Sequence, residues 1–441
     1  MRSLPPSFGA AHLVGGAGGG RPRPPAGGSF GEPADTWPGP SRDVIGCPDC
    51  GLIQNLPKPP RRGSLRCLRC DSALERTNGR SLDAALACSL ATLLLLFPAN
   101  LLPILQVNIL AATNRSVIAS GAIGIWHQDW PLTALVVGLE IVVIPFVRFG
   151  TLTAVLLALR LGKRGGWLGP VFRWSERLDQ WAMVDVFLFG GVVGYTRVAP
   201  FLPIRIEPGG WCLIAAAFLT LVTRASLERR QLWRRIGPVV RERHQEMIGC
   251  SACDFPVTSD RAGSRCPRCR ARIWPCRPNA TMRAVALTVA AFAFYPAAYL
   301  FPMEYSAQFG TRFGYSIMTG VNELFQVHLW FFGVVIFCAS IVVPLLKLFA
   351  MTWFGISIHR RSNSRLRLKT NLYRVVNAIG RWSHIDVFTV SVFLPLMQLR
   401  GVLGVVVGRA LPAFLAVVVF TMFASELFDP RALWLAGRRR P

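Results

Sequence analysis

Ser340-Ile-Val-Val-Pro-Leu-Leu-Lys347 places a lysine inside an otherwise apolar run, 329–356. Insertion scales put a lysine near the middle of a membrane span at a cost of roughly 2.5 to 3.5 kcal/mol, so it needs a partner, a wet cavity or a route to the interface. Snorkelling is one such route: Ile356 is about 14 Å further along a helix, and a lysine stem covers part of that distance.

Reading outward, the run is one of eight apolar stretches, 82–105, 132–159, 183–204, 211–222, 284–303, 329–356, 387–399 and 411–425. The fourth, seventh and eighth are short for a hydrocarbon core of about 30 Å. With 52% hydrophobic and 16% charged residues, the chain is an integral membrane protein by composition. The net charge of +26 is distributed along the chain unevenly. Most Lys and Arg fall in the N-terminal segment, the connections 160–182, 224–283 and 357–386, and the C-terminal tail; Arg115, Arg205, Arg312, Arg400 and Arg409 fall on the other side, and Arg148, Arg197 and Lys347 lie within spans. By the positive-inside rule both termini are expected in the cytoplasm. Basic residues such as Arg360, Arg361, Arg365, Arg367 and Lys369 then read as anchors on anionic headgroups, and no nucleic-acid partner is expected. Residues 1–43, dense in Gly and Pro and without an apolar run of signal-peptide length, read as a disordered cytoplasmic tail.

The chain makes nearly the same statement twice. Gly121, Trp126, Pro145 and Arg148 match Gly320, Phe325, Pro344 and Lys347 at an offset of 199, and Trp181-Ala-Met-Val-Asp-Val-Phe187 matches Trp382-Ser-His-Ile-Asp-Val-Phe388 at 201. Phe97-Pro-Ala-Asn-Leu-Leu-Pro103 returns as Tyr295-Pro-Ala-Ala-Tyr-Leu-Phe-Pro302. The expected fold is therefore an all-α polytopic membrane protein of two tandem parallel repeats, with any shared pathway at their interface. The copies differ: Ala339, Ser340 and Lys347 stand where the first has Glu140, Ile141 and Arg148.

A cysteine cluster precedes each set of four spans. Cys47, Cys50, Cys67 and Cys70 form two Cys-x-x-Cys pairs before the first span, and Cys250, Cys253, Cys266 and Cys269 form two before the fifth. Two such turns joined by a short loop are the zinc-ribbon pattern, delivering four thiolates to one tetrahedral Zn²⁺. A redox pair or disulfide is the competing reading, disfavoured in a reducing cytoplasm. Two structural zinc ions are expected, because four ligands close each coordination sphere. Cys88, Cys212 and Cys338 read as packing residues.

Taken together, the ribbons, Trp-x-x-x-Asp-Val-Phe in both copies, Ser340–Lys347 and Phe428-Asp-Pro-Arg431-Ala-Leu-Trp434 closely resemble the paraquat-inducible protein A family over about residues 44–435. The resemblance implies a Gram-negative inner-membrane protein that works with a periplasmic MCE-domain protein to move phospholipids between membranes. An enzyme is not expected, because neither four-cysteine site offers an open coordination position. The resemblance also implies a transmembrane polar set on Asp185, Ser340, Lys347, Asp386 and Thr421. The domains are then a tail at 1–43, ribbons at 44–80 and 245–280, membrane domains at 81–225 and 281–427, and a basic tail at 428–441.

Asp185 and Asp386 each start a span, where a helix N-terminus favours a carboxylate by about 0.3 to 1 kcal/mol. Lys347 lies at a depth that Asp386 could reach, so a Lys347–Asp386 pair supported by the Ser340 and Thr421 hydroxyls would satisfy both charges. Protonating an aspartate would break that pair, which makes a proton-linked switch the expected mechanism. The chain contains no Gly-x-x-x-x-Gly-Lys-Ser/Thr loop for a nucleotide. A scaffold that docks and stabilises the periplasmic partner is the alternative. The paired prolines Pro98 with Pro103 and Pro296 with Pro302 break or bend the first span of each repeat.

Overall fold

A computed structural model of the chain describes residues 12–14, 43–57, 63–77, 81–109, 112–199, 203–240, 246–308, 311–397 and 403–438. Within the Gly/Pro-rich tail, His12–Val14 is an edge strand antiparallel to Gly63–Arg66; 1–11 and 15–42 lie outside the described residues, as does Arg400. The chain divides into two units. One is Leu82–Leu227 with Asn279–Pro441, and the other is Met1–Ser81 with Glu228–Pro278.

In the membrane unit the duplication is a duplication of structure. Repeat 1 runs α1 (Leu82–Leu101), α2 (Ser120–Trp126), α3 (Pro131–Arg160), α4 (Leu168–Leu178), α5 (Val184–Val198) and α6 (Pro208–Ser226). Repeat 2 follows with α7 (Ala280–Leu300), α8 (Ile317–Gln326), α9 (Trp330–His359), α10 (Leu366–Ile379), α11 (Ile385–Leu396) and α12 (Ala410–Leu427), and ends in α13 (Arg431–Arg438).

The long helices α3 and α9 repeat each other down to their irregularities. Pro131 opens α3 at a position where its missing N–H has no helical acceptor in any case. Each helix widens into a π-turn, Leu139–Val143 and Cys338–Val342, just before Pro145 and Pro344. A proline supplies no N–H to the carbonyl four residues back, and the wider turn absorbs that defect. In α9 the carbonyl so released is that of Ser340, and it accepts the Tyr299 hydroxyl of α7 instead. Both helices end alike, with a left-handed residue, Gly162 at φ 69° and Arg361 at φ 46°. The next N–H reaches back five residues, from Lys163 to Ala158 at 2.9 Å and from Ser362 to Ser357 at 3.0 Å.

Among the described residues, six helices are long and apolar enough to cross a membrane: α1, α3, α6, α7, α9 and α12. The third and seventh of the eight expected spans fall instead on shorter apolar helices. α5 has 15 residues and α11 has 12, about 22 and 18 Å of helix against about 30 Å of hydrocarbon. The all-α expectation is corrected. Each repeat carries a three-stranded antiparallel sheet. Strands β1 (Leu105–Ile109), β2 (Ala112–Ser116) and β3 (Ile204–Ile206) form one, with β1 central. Strands β4 (Glu304–Gln308), β5 (Thr311–Tyr315) and β6 (Leu403–Val407) form the other, with β4 central. Short apolar strands such as Leu403-Gly-Val-Val-Val407 carry no period that separates them from the adjoining helices.

Within each repeat the first and last long helices pack together, α1 on α6 and α7 on α12. Between repeats the crossing element is α11, which packs on α5 and α2 and is buried along nearly its whole length. A helix apolar all round belongs in such a position. Small residues let the backbones approach there: a Cβ at Gly121 of α2 would lie 2.0 Å from the Ser391 carbonyl oxygen, and one at Gly190 of α5 would lie 2.9 Å from the Phe388 Cβ. Gln128, just beyond α2, clamps the sheet of the other repeat, its amide donating to the Val405 carbonyl at 3.1 Å and accepting from the Val407 N–H at 2.6 Å.

The second unit holds both cysteine clusters, on hairpins Asp43–Gly46 with Ile53–Leu56, Gly63–Arg66 with Ala73–Thr77, and Met247–Gly249 with Pro256–Thr258. The two ribbons touch where Gly46 meets Gly249; a Cβ on Gly46 would stand 2.7 Å from the Gly249 Cα. Helix Arg229–Ile236 is pinned to the first ribbon by Arg234, which forks onto the buried Glu75 at 2.7 and 2.9 Å and reaches Asp43 at 2.6 Å. Beside it, burial pushes the Arg230 guanidinium down to about 10, against the opposing pull of Glu75.

Gly121→Ala is expected to lower the thermal unfolding midpoint of the detergent-solubilised protein, with a cost of about 1–3 kcal/mol from overpacking against rigid backbone. Gly150→Ala, whose Cβ would meet nothing within 4 Å, is expected to leave it unchanged.

Candidate functional site

The cysteines of each cluster converge from two knuckles, and all four knuckles share one backbone design. In every knuckle the residue after the second cysteine is left-handed: Gly51, Asp71, Asp254 and Arg270, with φ of 71°, 58°, 57° and 58°. Its N–H donates to the carbonyl of the first cysteine, at 3.0 Å from Gly51 to Cys47 and 2.9 Å from Arg270 to Cys266. The eight sulfurs are buried in two groups, Cys47, Cys50, Cys67 and Cys70, and Cys250, Cys253, Cys266 and Cys269, with the ligand atoms of each group within 4.8 Å of one another. The closest approaches are 3.5 Å for Cys47 with Cys70, and 3.6 Å for Cys50 with Cys67 and for Cys250 with Cys269. Four thiolates about 2.3 Å from a tetrahedral ion stand about 3.8 Å apart, so each group fits one such ion.

In the membrane unit the two repeats solve the same electrostatic problem differently. Arg148 of α3, 2% exposed, is paired with Asp179 at the end of α4. Arg224 of α6 donates to the same Asp179 carboxylate at 3.0 Å and to Asp185 of α5 at 2.7 Å. Burial opposes the charge of Asp179, but Arg148 and Arg224 more than offset it and hold the carboxyl below its ordinary range. Repeat 1 thus closes a network of two guanidinium groups and two carboxylates, each cation facing an anion.

In repeat 2 the counterparts of Arg148 and Asp185 are Lys347 and Asp386, but Asp179 is replaced by Gly380 and Arg224 by Phe423. One acid and one base are gone, leaving one of each. Lys347 is 1% exposed, and its Nζ donates to the Gly380 carbonyl at 3.2 Å. A side chain at 380 would collide with it, since a Cβ there would lie 2.3 Å from the Lys347 Cε. The lysine therefore fills the slot its missing partner vacates. Among the described residues it forms no ion pair with Asp386, which sits in the first turn of α11 at 7% exposure.

The remaining expected residues divide accordingly. Asp185 belongs to the repeat 1 network. Ser340 is 1% exposed on the π-turn of α9, its hydroxyl without a hydrogen bond among the described residues. Thr421 donates to its own helix at the Val418 carbonyl, 2.9 Å away. Asp179, Arg224 and Gly380 were not singled out from the sequence, although the repeat alignment sets Asp179 opposite Gly380 and Arg224 opposite Phe423. Glu140 of α3 and His384, just before α11, meet across the repeats at 3.3 Å.

The family model described as paraquat-inducible protein A matches residues 82–237 and again 281–437. The chain is similar to the lipophilic envelope-spanning tunnel protein A of Escherichia coli K12, 30% identical over 397 residues, 90% of this chain and 92% of that protein. It is 28% identical to the intermembrane transport protein PqiA of the same strain over 405 residues, 88% of this chain and 94% of that protein. A probable intermembrane transport protein of Haemophilus influenzae is 24% identical over 412 residues, 89% of this chain and 95% of its own length. No solved structure matches it. With the duplicated helices, the paired cysteine groups and these relatives in agreement, the chain belongs to the paraquat-inducible protein A family.

Proposed function

We propose that this chain is the inner-membrane component of an intermembrane lipid transport system, passing phospholipid between that membrane and a periplasmic MCE-domain protein, with both termini cytoplasmic. Relatives across nine-tenths of the chain carry the names of intermembrane transport and envelope-spanning tunnel proteins, which supports the reading. Exposed apolar side chains such as Leu132, Phe218, Leu300 and Phe331 cover the outside of the long helices, as a lipid-facing surface requires.

The observation that carries the mechanism is the thinning of the charge network. Repeat 1 is locked by four charges; repeat 2 keeps only Lys347 and Asp386, a pair of opposite sign on different helices. A lysine in a low-dielectric interior gains much more from a carboxylate than from one carbonyl. Lys347 therefore has two competing positions, at Gly380 and at Asp386, and an aspartate that takes up a proton favours the first. Movement between them shifts α9 against α11 while repeat 1 stays fixed. Ser340 and Thr421 supply hydroxyls along that path. The membrane potential adds about 2.3 kcal/mol per charge per 100 mV where protons cross.

Lys347→Ala and Asp386→Asn are expected to reach the membrane at normal abundance and lose lipid transfer, measured as movement of labelled phospholipid from vesicles containing the chain to its purified periplasmic partner. Transfer at the wild-type rate by either variant would favour a docking scaffold instead.

Each cysteine group is proposed to hold one structural Zn²⁺. The eight cysteines supply the ligands, and the metal joins hairpins too small to keep a core of their own. Elemental analysis of the purified chain is expected to give two zinc ions. Cys47→Ser with Cys50→Ser is expected to give one and to open the first ribbon to proteolysis; an unchanged metal content contradicts the assignment.

A further inference from the structure

Glu140 and His384 come from different repeats and meet in the interior, with His384 Nε2 3.3 Å from Glu140 Oε1 and side chains 0% and 2% exposed. Among the described residues, neither ring nitrogen and neither carboxylate oxygen makes a hydrogen bond. Glu140 sits on the π-turn of α3, a kind of turn frequent at functional sites. His384 closes the turn Gly380–His384 that leads into α11 and stacks on Phe388, ring centroids 5.8 Å apart.

The duplicated fold provides an internal control. The residues at the same two places in the opposite repeats are Ala339 and Met183, both buried in the common apolar core. Alanine and methionine meet the packing needs there, so packing alone does not call for a carboxylate and an imidazole. A carboxylate facing a neutral imidazole leaves a bare charge out of water, which is strongly disfavoured. The pair becomes neutral overall with one added proton, held as imidazolium with carboxylate or as imidazole with carboxylic acid.

We propose that Glu140 and His384 together form a proton-binding site that clasps α3 of repeat 1 to the start of α11 in repeat 2. The proton comes from solvent and returns to it. Its loss leaves an uncompensated charge between the repeats and loosens their contact.

Other ionisable groups lie on the elements packed around this region, and most have partners of their own. Lys347 of α9 donates to Gly380, Lys369 of α10 to Ser357, and Tyr373 of α10 to the Ser425 carbonyl. Arg374 of α10 donates to Asn371. Glu426 of α12 accepts from Trp181, while Arg148 of α3 and Asp185 of α5 belong to the repeat 1 network. Tyr195 of α5, Asp386 of α11 and Arg381 of the connecting turn lie on the same elements, and Tyr299 of α7 donates to the Ser340 carbonyl. The pair is separate from the polar set assigned to transport, and the test reads conformation and not lipid transfer, so the two readings can fail independently.

The full chain in detergent is unfolded thermally at pH values from about 5.5 to about 8, the range in which histidine ordinarily titrates. Proton binding to the folded pair gives stability that is present at low pH and lost as pH rises. The wild-type midpoint is therefore expected to fall across this range by about 2–4 °C more than that of Glu140→Gln. The double variant Glu140→Ala with His384→Met, which installs the residues of the opposite repeats, is expected to lose the same component. Glu140→Gln is nearly isosteric and decides the matter should the double variant fold poorly. Retention of the full wild-type pH profile by Glu140→Gln would overturn the proposal.

Discussion

A cation inside a helix bundle must find its polar partners within the protein, because the bilayer core offers no water to supply them. That constraint acts at the same point in both repeats, at Arg148 and at Lys347, and is met in two ways. In repeat 1, Asp179 and Arg224 complete a closed network with Asp185. In repeat 2, Gly380 removes the carboxylate and leaves its backbone carbonyl, and the shorter, single-headed lysine lies in the space that remains. Arginine holds a planar fork against two acceptors, whereas lysine is a point charge on a flexible stem. The substitution thus fits the proposal that the repeat 2 cation changes partners.

The surrounding frame keeps that difference meaningful. Both repeats carry the proline-linked π-turn, the left-handed helix end and the three-stranded sheet, so their backbones present these side chains in equivalent places. The crossing of α11 over α5 and α2 rests on Gly190 and Gly121, which leave no room for slack. Against so close a match, the charged positions are where the copies part. Glu140 opposite Ala339 and His384 opposite Met183 follow the same rule as Asp179 opposite Gly380.

Much of this was legible in the sequence because it depends on residue types at fixed spacing. The cysteine knuckles are local, and four Cys-x-x-Cys pairs determine which sulfurs meet. The long helices are apolar runs, and their duplication is visible at constant offset. What escaped depends on contacts far apart in the chain. Asp179 lies in a polar connection and gains its meaning only when α4 brings it against α3. Glu140 and His384 are separated by most of the chain, and no periodicity joins them. The sheets were missed because strands such as Leu403–Val407 are short, apolar and continuous with their neighbours. The third expected span, 183–204, runs past the end of α5 because the apolar residues that follow the helix extend its hydropathy peak.

The most direct test of the account is an exchange of charges between positions 347 and 386. Lipid transfer to the proposed periplasmic partner is compared for Lys347→Asp, for Asp386→Lys and for the two combined, each at matched abundance in the membrane. If these groups must pair in one state of the cycle, each single change abolishes transfer and the combination restores a measurable part of it. A combined variant as inactive as the single ones, though equally abundant and folded, would contradict it.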